Sequence, residues 1–211
     1  MSRTVEREQS LRDGSRVLIR PIRPGDGGLV RAGFERLSPE SRYRRFLTPM
    51  PTLTEQQLAY LTDVDHHDHE AMIAVDPATG EGLGISRLVR DAERPRTAEA
   101  AVTVIDEWQG RGLGTALLTA LTERARIDEI DRFTCLVLAE NREMIELLER
   151  LGPAREIDRR PGTVELAVDV PPPEEGIGAQ LAQLLRTAAS GVVEFIAERA
   201  TGDRGNAGSP D

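Results

Sequence analysis

A chain of 211 residues is long enough to bury a core of its own and suits one ordinary domain with an appendage. Its net charge of −9 argues against nucleic acid as a partner, because phosphate binding needs a basic footprint, and leaves a basic protein surface as the more natural one. The single cysteine, Cys135, excludes an internal disulfide and suits a reducing compartment. No signal-peptide core opens the sequence and no run reaches transmembrane length, so the expectation is a cytoplasmic, soluble protein without a membrane partner.

In chain order, residues 1–10 read as a polar, frayed tail. Residues 16–22 alternate into a short strand, closed by Pro21, Pro24 and Gly25, and Asp26 then reads as the N-cap of a helix to about Leu37. Ser38 followed by Pro39 restarts a helix that carries Arg42, Tyr43, Arg44, Arg45 and Phe46. Thr54 to Gln57 spells a capping box for a helix to about Leu61. Strands are expected at 70–75, at 82–90 after the turn 76–80, and at 100–105. A helix is expected at 115–127, a strand at 132–138, a helix ending at Leu151-Gly152 and a strand at 163–170. Helices and strands thus alternate in a mixed α/β order. Residues 171–176 form a Pro-rich linker, and the apolar stripe Ile177, Leu181, Leu184, Leu185, Ala188, Val192, Phe195 and Ile196 predicts an amphipathic helix over 177–200. That helix must be buried, either on the domain or against a second copy as a homodimer, and 201–211 reads as a disordered tail.

The most informative stretch is V-T-V-I-D-E-W-Q-G-R-G-L-G-T at 102–115, a strand entering a helix through Gly110, Gly112 and Gly114. First-turn N–H groups lack intrahelical acceptors and sit at the positive end of the helix dipole, so a bare first turn suits an anionic oxygen, above all a pyrophosphate. A P-loop is excluded because no lysine follows Gly114, and a dinucleotide fingerprint because the glycines run G-x-G-x-G rather than G-x-G-x-x-G. What remains is Q-x-x-G-x-G at Gln109, Gly112 and Gly114.

That pattern resembles the acetyl-CoA motif of the GCN5-related N-acetyltransferases. Within the family the chain is most similar to the bacterial protein lysine acetyltransferases, on Ala98-Glu99-Ala100-Ala101-Val102-Thr103-Val104 followed by W-Q-G-R-G-L-G, and on L-R-D-G-S, I-R-P-I-R-P-G-D and L-S-P-E-S-R-Y-R-R-F toward the front. The resemblance covers about residues 11–170 and implies a mixed, mostly antiparallel sheet splayed where the pantetheine enters. It implies acetyl-CoA as cosubstrate, held by Val102, Val104, Gln109, Gly110, Arg111, Gly112, Leu113, Gly114, Thr115 and Asn141. The Val104 amide would be the oxyanion donor, and Glu99, ten residues before Gln109, would be the general base toward an acceptor amine, with a raised pKa if its site is dry. Otherwise Glu99 is a solvated strand-end charge. The acceptor implied is a protein lysine, with a small amine as the alternative, and a silent acetyl-CoA-binding module as the reading from another class.

Other residues carry weaker signals. Many relatives place a tyrosine acid where Leu148 stands, and Pro153 replaces a usual phenylalanine, which leaves the start of the next strand open. Asn141 also serves as an N-cap. The run Asp65-His66-His67-Asp68-His69-Glu70 has metal-ligand residue types, yet adjacent histidines in one loop seldom converge on an ion, so no metal is expected and the turn is read as lining the acceptor pocket. Arg42, Arg44 and Arg45 read as a solvated helix face before they read as a site for an acidic acceptor or the cofactor's 3′-phosphate. All 27 basic residues are arginine, which composition bias explains and which would also spare a lysine-acetylating enzyme from labelling itself.

Overall fold

A computed structural model of the chain describes residues 6–171. Its described strands pair into one eight-stranded sheet built from β1 (Arg7–Ser10), β2 (Arg16–Pro21), β3 (His69–Val75), β4 (Gly82–Arg90), β5 (Thr97–Val104), β6 (Arg132–Leu138), β7 (Ala154–Arg160) and β8 (Thr163–Asp169). The order across the sheet is β1-β2-β3-β4-β5-β6-β8-β7, and every neighbouring pair is antiparallel except β5 and β6. Among the described residues five α-helices complete the fold: α1 (Gly27–Glu35), α2 (Pro39–Phe46), α3 (Glu55–Thr62), α4 (Leu113–Ile127) and α5 (Arg142–Leu151).

Alternation along the central strands assigns a face to each side chain. From β4, Ser86 turns toward α4, where its Oγ donates to the Leu117 carbonyl at 2.9 Å, and α4 buries Leu117, Leu118, Leu121 and Ala125. Ile85 and Arg87 point the other way, into a small cavity walled by α1 with Leu29, Val30 and Phe34. Two buried ion pairs join the layers. Glu70 on β3 accepts from Arg124 Nε on α4 at 2.8 Å, and Arg20 on β2 grips Asp26 through two bonds of 2.7 and 2.8 Å.

Ser38 and Thr54 cap α2 and α3 as their sequences predict, through bonds to the Ser41 and Gln57 amides. Asp26 precedes α1 as expected but does not cap it, because its carboxylate is taken by Arg20 and by the Arg23 amide. Burial alone would raise its pKa, but these bonds outweigh that and hold it below the usual carboxylate value. The frayed tail expected over 1–10 is corrected at its end, where β1 pairs with β2 from Arg7↔Ile19 to Ser10↔Arg16. The strand left open after Pro153 is β7, which begins directly at Ala154. Ahead of it, α5 ends on Gly152 for a steric reason, since a Cβ there would lie 2.3 Å from the Asp169 carbonyl oxygen. The amphipathic helix at 177–200, the tail at 201–211 and all but the first residue of the linker lie outside the described residues.

Candidate active site

The one parallel contact makes the site. β5 and β6 pair only from Thr97↔Arg132 to Glu99↔Thr134, and beyond Glu99 the two strands part. β6 goes on pairing with β8 as far as Leu138↔Thr163, and β5 with β4 as far as Val104↔Gly84, so each strand leaves its inner edge to the gap. Ile105 donates to Leu83 across β4 at 3.0 Å, which fixes the phase of that antiparallel ladder. By alternation, the amides and carbonyls of Ala100, Val102 and Val104 turn away from β4 into the gap. The result is a cleft of about 810 Å³ between β5 and β6, flanked by α2, α4 and α5.

At one end of the cleft the chain leaves β5, makes a short turn at Asp106–Trp108 and enters α4 through glycines. Gly110 and Gly112 have φ of +73° and +93°, a region where side chains are strained, and Gly112 is the N-cap of α4. The first intrahelical bond runs from Ala116 N–H to the Gly112 carbonyl, so the amides of Leu113, Gly114 and Thr115 precede it at the positive end of the helix. Gln109, Gly110, Gly112, Gly114 and Thr115 all line the cleft, as do Val102, Val104 and Asn141. Gln109 Nε2 donates to the Val104 carbonyl at 3.0 Å and to Asp106 Oδ1 at 3.1 Å, tying the cradle to the strand and leaving the Val104 amide toward the gap. Asn141 Oδ1 accepts from the Met144 amide at 3.2 Å, so it caps α5 from the cleft wall.

Two predicted residues stand differently. Leu113 is 1% exposed and its side chain belongs to the core, so only its backbone remains available to a ligand. Arg111 is not part of the cleft lining. Its guanidinium lies 5.0 Å over the Trp108 ring and pairs with Asp13 at 3.3 Å. The cation that does line the cradle is Arg12, whose stem lies against Gly112. Sequence reasoning passed over it, although it sits in the quoted L-R-D-G-S segment.

Glu99 lines the opposite end of the cleft, at the fork, and its carboxylate is exposed. The dry setting considered for it is therefore corrected: the side chain stands at an open wall. Leu148, at the position where many relatives place a tyrosine, is buried on the cleft wall, and Tyr43 and Tyr60 line no part of the cleft. Cys135 faces the same space, but burial pushes its thiol up to about 12, so it carries no thiolate near neutral pH.

The arginine-rich helix divides three ways rather than forming one solvated face. Arg42 stacks on Phe34 at 4.5 Å and donates to the Pro51 and Glu35 carbonyls, Arg44 pairs with Glu40 four residues back, and Arg45 reaches both the cleft and the cavity beneath it. The histidine loop also lies elsewhere than expected, since none of its residues lines the cleft. His66 Nδ1 meets Glu70, His67 Nδ1 meets Asp128 at 3.0 Å, and His69 Nε2 accepts from Arg87. Among the described residues no group of three such side chains is arranged to hold a metal ion, and no helix is long and apolar enough to cross a membrane.

A split parallel pair that opens onto a glycine cradle at a helix start marks this cleft as the candidate active site. A family model for the acetyltransferase (GNAT) domain matches residues 16–153. The chain is 36% identical over 162 residues to Acetyltransferase Pat of Mycolicibacterium smegmatis, covering 77% of this chain and 48% of that protein. It is also 36% identical over 146 residues to Acetyltransferase PA5475 of Pseudomonas aeruginosa, covering 68% and 78% respectively. The crystal structure of the GNAT domain of S. lividans PAT superposes with a TM-score of 0.72 at 32% identity, covering 78% of this chain and 96% of that one. The chain belongs to the GNAT acetyltransferase family, and it spans about half the length of the mycobacterial Pat it matches.

Proposed function

We propose that this chain is an acetyl-CoA-dependent N-acetyltransferase that transfers acetyl to a protein lysine by direct attack, with Glu99 as general base, in the cytoplasm. The observation that carries the reading is the fork itself, where the β5–β6 ladder stops at Glu99 and opens toward the glycine cradle. The residues present fit the cosubstrate. The amides of 113–115 and the positive-φ glycines suit a pyrophosphate, Arg12 suits a phosphate charge, and the free inner edge of β5 suits the amides of a pantetheine arm. When bound, acetyl-CoA supplies an acetyl group activated as a thioester.

Within that setting the chain's own groups divide the work. Glu99 takes the proton that the amine must lose, directly or through a water, so that nitrogen can form the C–N bond. The Val104 amide faces the oxyanion that develops on the carbonyl. The C–S bond then breaks and the coenzyme leaves as thiolate, with Leu148 offering no acid where relatives often have one. The high pKa of Cys135 supports direct attack over an acyl-enzyme on the chain's only cysteine. A protein lysine as acceptor rests on the resemblance of residues 98–104 and of the W-Q-G-R-G-L-G run to the bacterial protein lysine acetyltransferases.

The test is incubation with labelled acetyl-CoA and either lysine-bearing proteins or a panel of small amines. The absence of lysine from the chain removes side-chain self-labelling as a background. Label in protein lysines supports the proposal, label confined to small amines replaces the acceptor, and cofactor binding without transfer makes the chain a silent binding module.

The cradle makes its own prediction. Gly112→Val puts a β-branched side chain at φ +93°, where only glycine sits without strain, so the loop must move off the helix start. Acetyl-CoA affinity is expected to fall at least about tenfold by calorimetry. Unchanged affinity would remove the pyrophosphate assignment.

A further inference from the structure

Three arginines are buried among the described residues, and two of them face buried carboxylates: Arg20 with Asp26, and Arg124 with Glu70. Arg87 has no such partner. It is 6% exposed, its Nε has no hydrogen-bond partner among the described residues, and its other contacts are neutral. One terminal nitrogen donates to the Tyr60 carbonyl at 3.2 Å and to His69, and the guanidinium lies 4.8 Å over the Tyr60 ring. Arg45, from α2, lines the same cavity. It has no hydrogen-bond or ion-pair partner among the described residues, only the Phe46 ring at 5.1 Å.

The cavity between them measures about 70 Å³, several times the ~10–15 Å³ that one water needs. Apart from the two guanidiniums and Thr103 its walls are apolar, with Leu29, Phe34, Leu53, Ile73 and Ile85 among them. Arg45, Phe46, Ala101 and Thr103 also line the cleft, so the cavity adjoins the space that Glu99 borders. Glu99 lies on the same face of β5 as Ala101 and Thr103, and Ala101 is the cross-strand partner of Arg87.

The charges around the cavity do not balance. Burial, and for Arg87 the nearby Arg45, lower both guanidinium pKa values, that of Arg87 to about 10, and because guanidiniums stay protonated in proteins both cations are charged near neutral pH. Glu99 acts on both, but from beyond ion-pair distance. His69 is held below its usual value by burial and by Arg87, and its Nε2 accepts from Arg87, so it brings no negative charge to the cavity. Two positive charges against one negative leave a surplus of one in an apolar recess, and a buried cation without a counterion is costly.

We propose that Arg45 and Arg87 form a subsite for one carboxylate, carried on a short apolar stem by one of the two reactants. The inference rests on the acetyltransferase reading above. The carboxylate can arrive with the acceptor, as an acidic group beside the reacting amine, or with the donor, as the distal carboxylate of a dicarboxylic acyl group. Guanidinium forks bind a carboxylate directionally, and the apolar walls take the stem.

The experiment has two arms on wild type, Arg45→Gln and Arg87→Gln. The acceptor arm compares kcat/KM for lysine peptides differing only in Glu or Gln beside the lysine, and for Nα-acetyl-lysine against its amide, with acetyl-CoA as donor. The donor arm compares acetyl-CoA with succinyl-CoA on the neutral amide. The expected result is a preference of about tenfold or more for the carboxylate-bearing member of one arm, set by charge-assisted bonds, which falls toward one in both variants. The arm that shows it identifies the source. Wild-type preferences within about twofold in both arms would overturn the subsite, as would a preference that survives both substitutions. Should Arg87→Gln unfold, Arg45→Gln, on a less buried side chain, carries the test. If no acceptor is acylated, the function fails while the subsite is still decided by calorimetry of Nα-acetyl-lysine and its amide in the presence of coenzyme A. Carboxylate-dependent binding lost in Arg45→Gln, in that pair or between succinyl-CoA and acetyl-CoA, upholds the subsite, and equal binding within both pairs refutes it.

Discussion

Replacing Glu99 by glutamine is expected to lower turnover by about 10²-fold or more, the usual scale for removing a positioned general base, while acetyl-CoA affinity and melting temperature stay near wild type. The split between these readouts follows from where the residue stands. Glu99 is exposed and makes no hydrogen bond or ion pair among the described residues, so the fold loses little when its charge goes. Its backbone closes the last rung of the β5–β6 ladder, which glutamine preserves. The cradle lies at the other end of the cleft, beyond Val104, and does not involve this carboxylate. An ammonium is no nucleophile, so glutamine, which cannot accept the proton, must slow the step that frees the amine. Kinetics with a saturating acceptor, with cofactor binding measured in parallel, read the two effects apart. Wild-type turnover across about pH 6 to 9 would reduce Glu99 to a strand-end charge and move the base elsewhere.

The parts of this site that were legible in the sequence are those written locally. The capping serine and threonine of α2 and α3, the run of β6 and the glycines before α4 each announce themselves within a few residues, because caps, apolar runs and bare turns depend on near neighbours. The strand that escaped, β1, and the one whose start stayed open, β7, are both at the sheet's ends. β1 reads R-E-Q-S and β7 reads A-R-E-I-D-R-R, and both are largely exposed, since an edge strand needs no apolar face and is protected by charge. The fork was legible only through resemblance, because nothing in the composition of β5 or β6 says where their pairing stops. The charged residues that matter most were the least legible. Asp26 looks like an N-cap until Arg20 claims it, and Arg87 and Glu70 sit in largely buried strands without an oppositely charged neighbour in sequence, so only the packed structure says which partner each charge has.

Glu70 gives the largest stability effect expected in the described domain. It is fully buried on β3, with one oxygen accepting from Arg124 Nε at 2.8 Å and the other from the Ala71 amide at 2.9 Å and facing His66 Nδ1. Arg124, itself buried on α4, also reaches the His66 carbonyl at 3.1 Å and lies 3.8 Å from Asp128. The histidine run that resembles a metal cluster is thus folded around a salt bridge. Glu70→Ala deletes the carboxylate and leaves a buried guanidinium facing an apolar gap, which costs about 3–5 kcal/mol when one partner of a buried pair goes. The lower end of that range is expected, because Asp128 and the His66 carbonyl remain beside Arg124. Glu70→Gln keeps an oxygen acceptor but not the charge, and should cost less. The double replacement Glu70→Leu with Arg124→Met removes both desolvation penalties and should recover much of the loss, since buried pairs often gain little over well-packed apolar residues. Urea unfolding of wild type and the three variants measures these differences. If Glu70→Ala lowers stability by less than about 1 kcal/mol, the pair is no stronger than an exposed salt bridge, and the order of the histidine loop must come from its backbone alone.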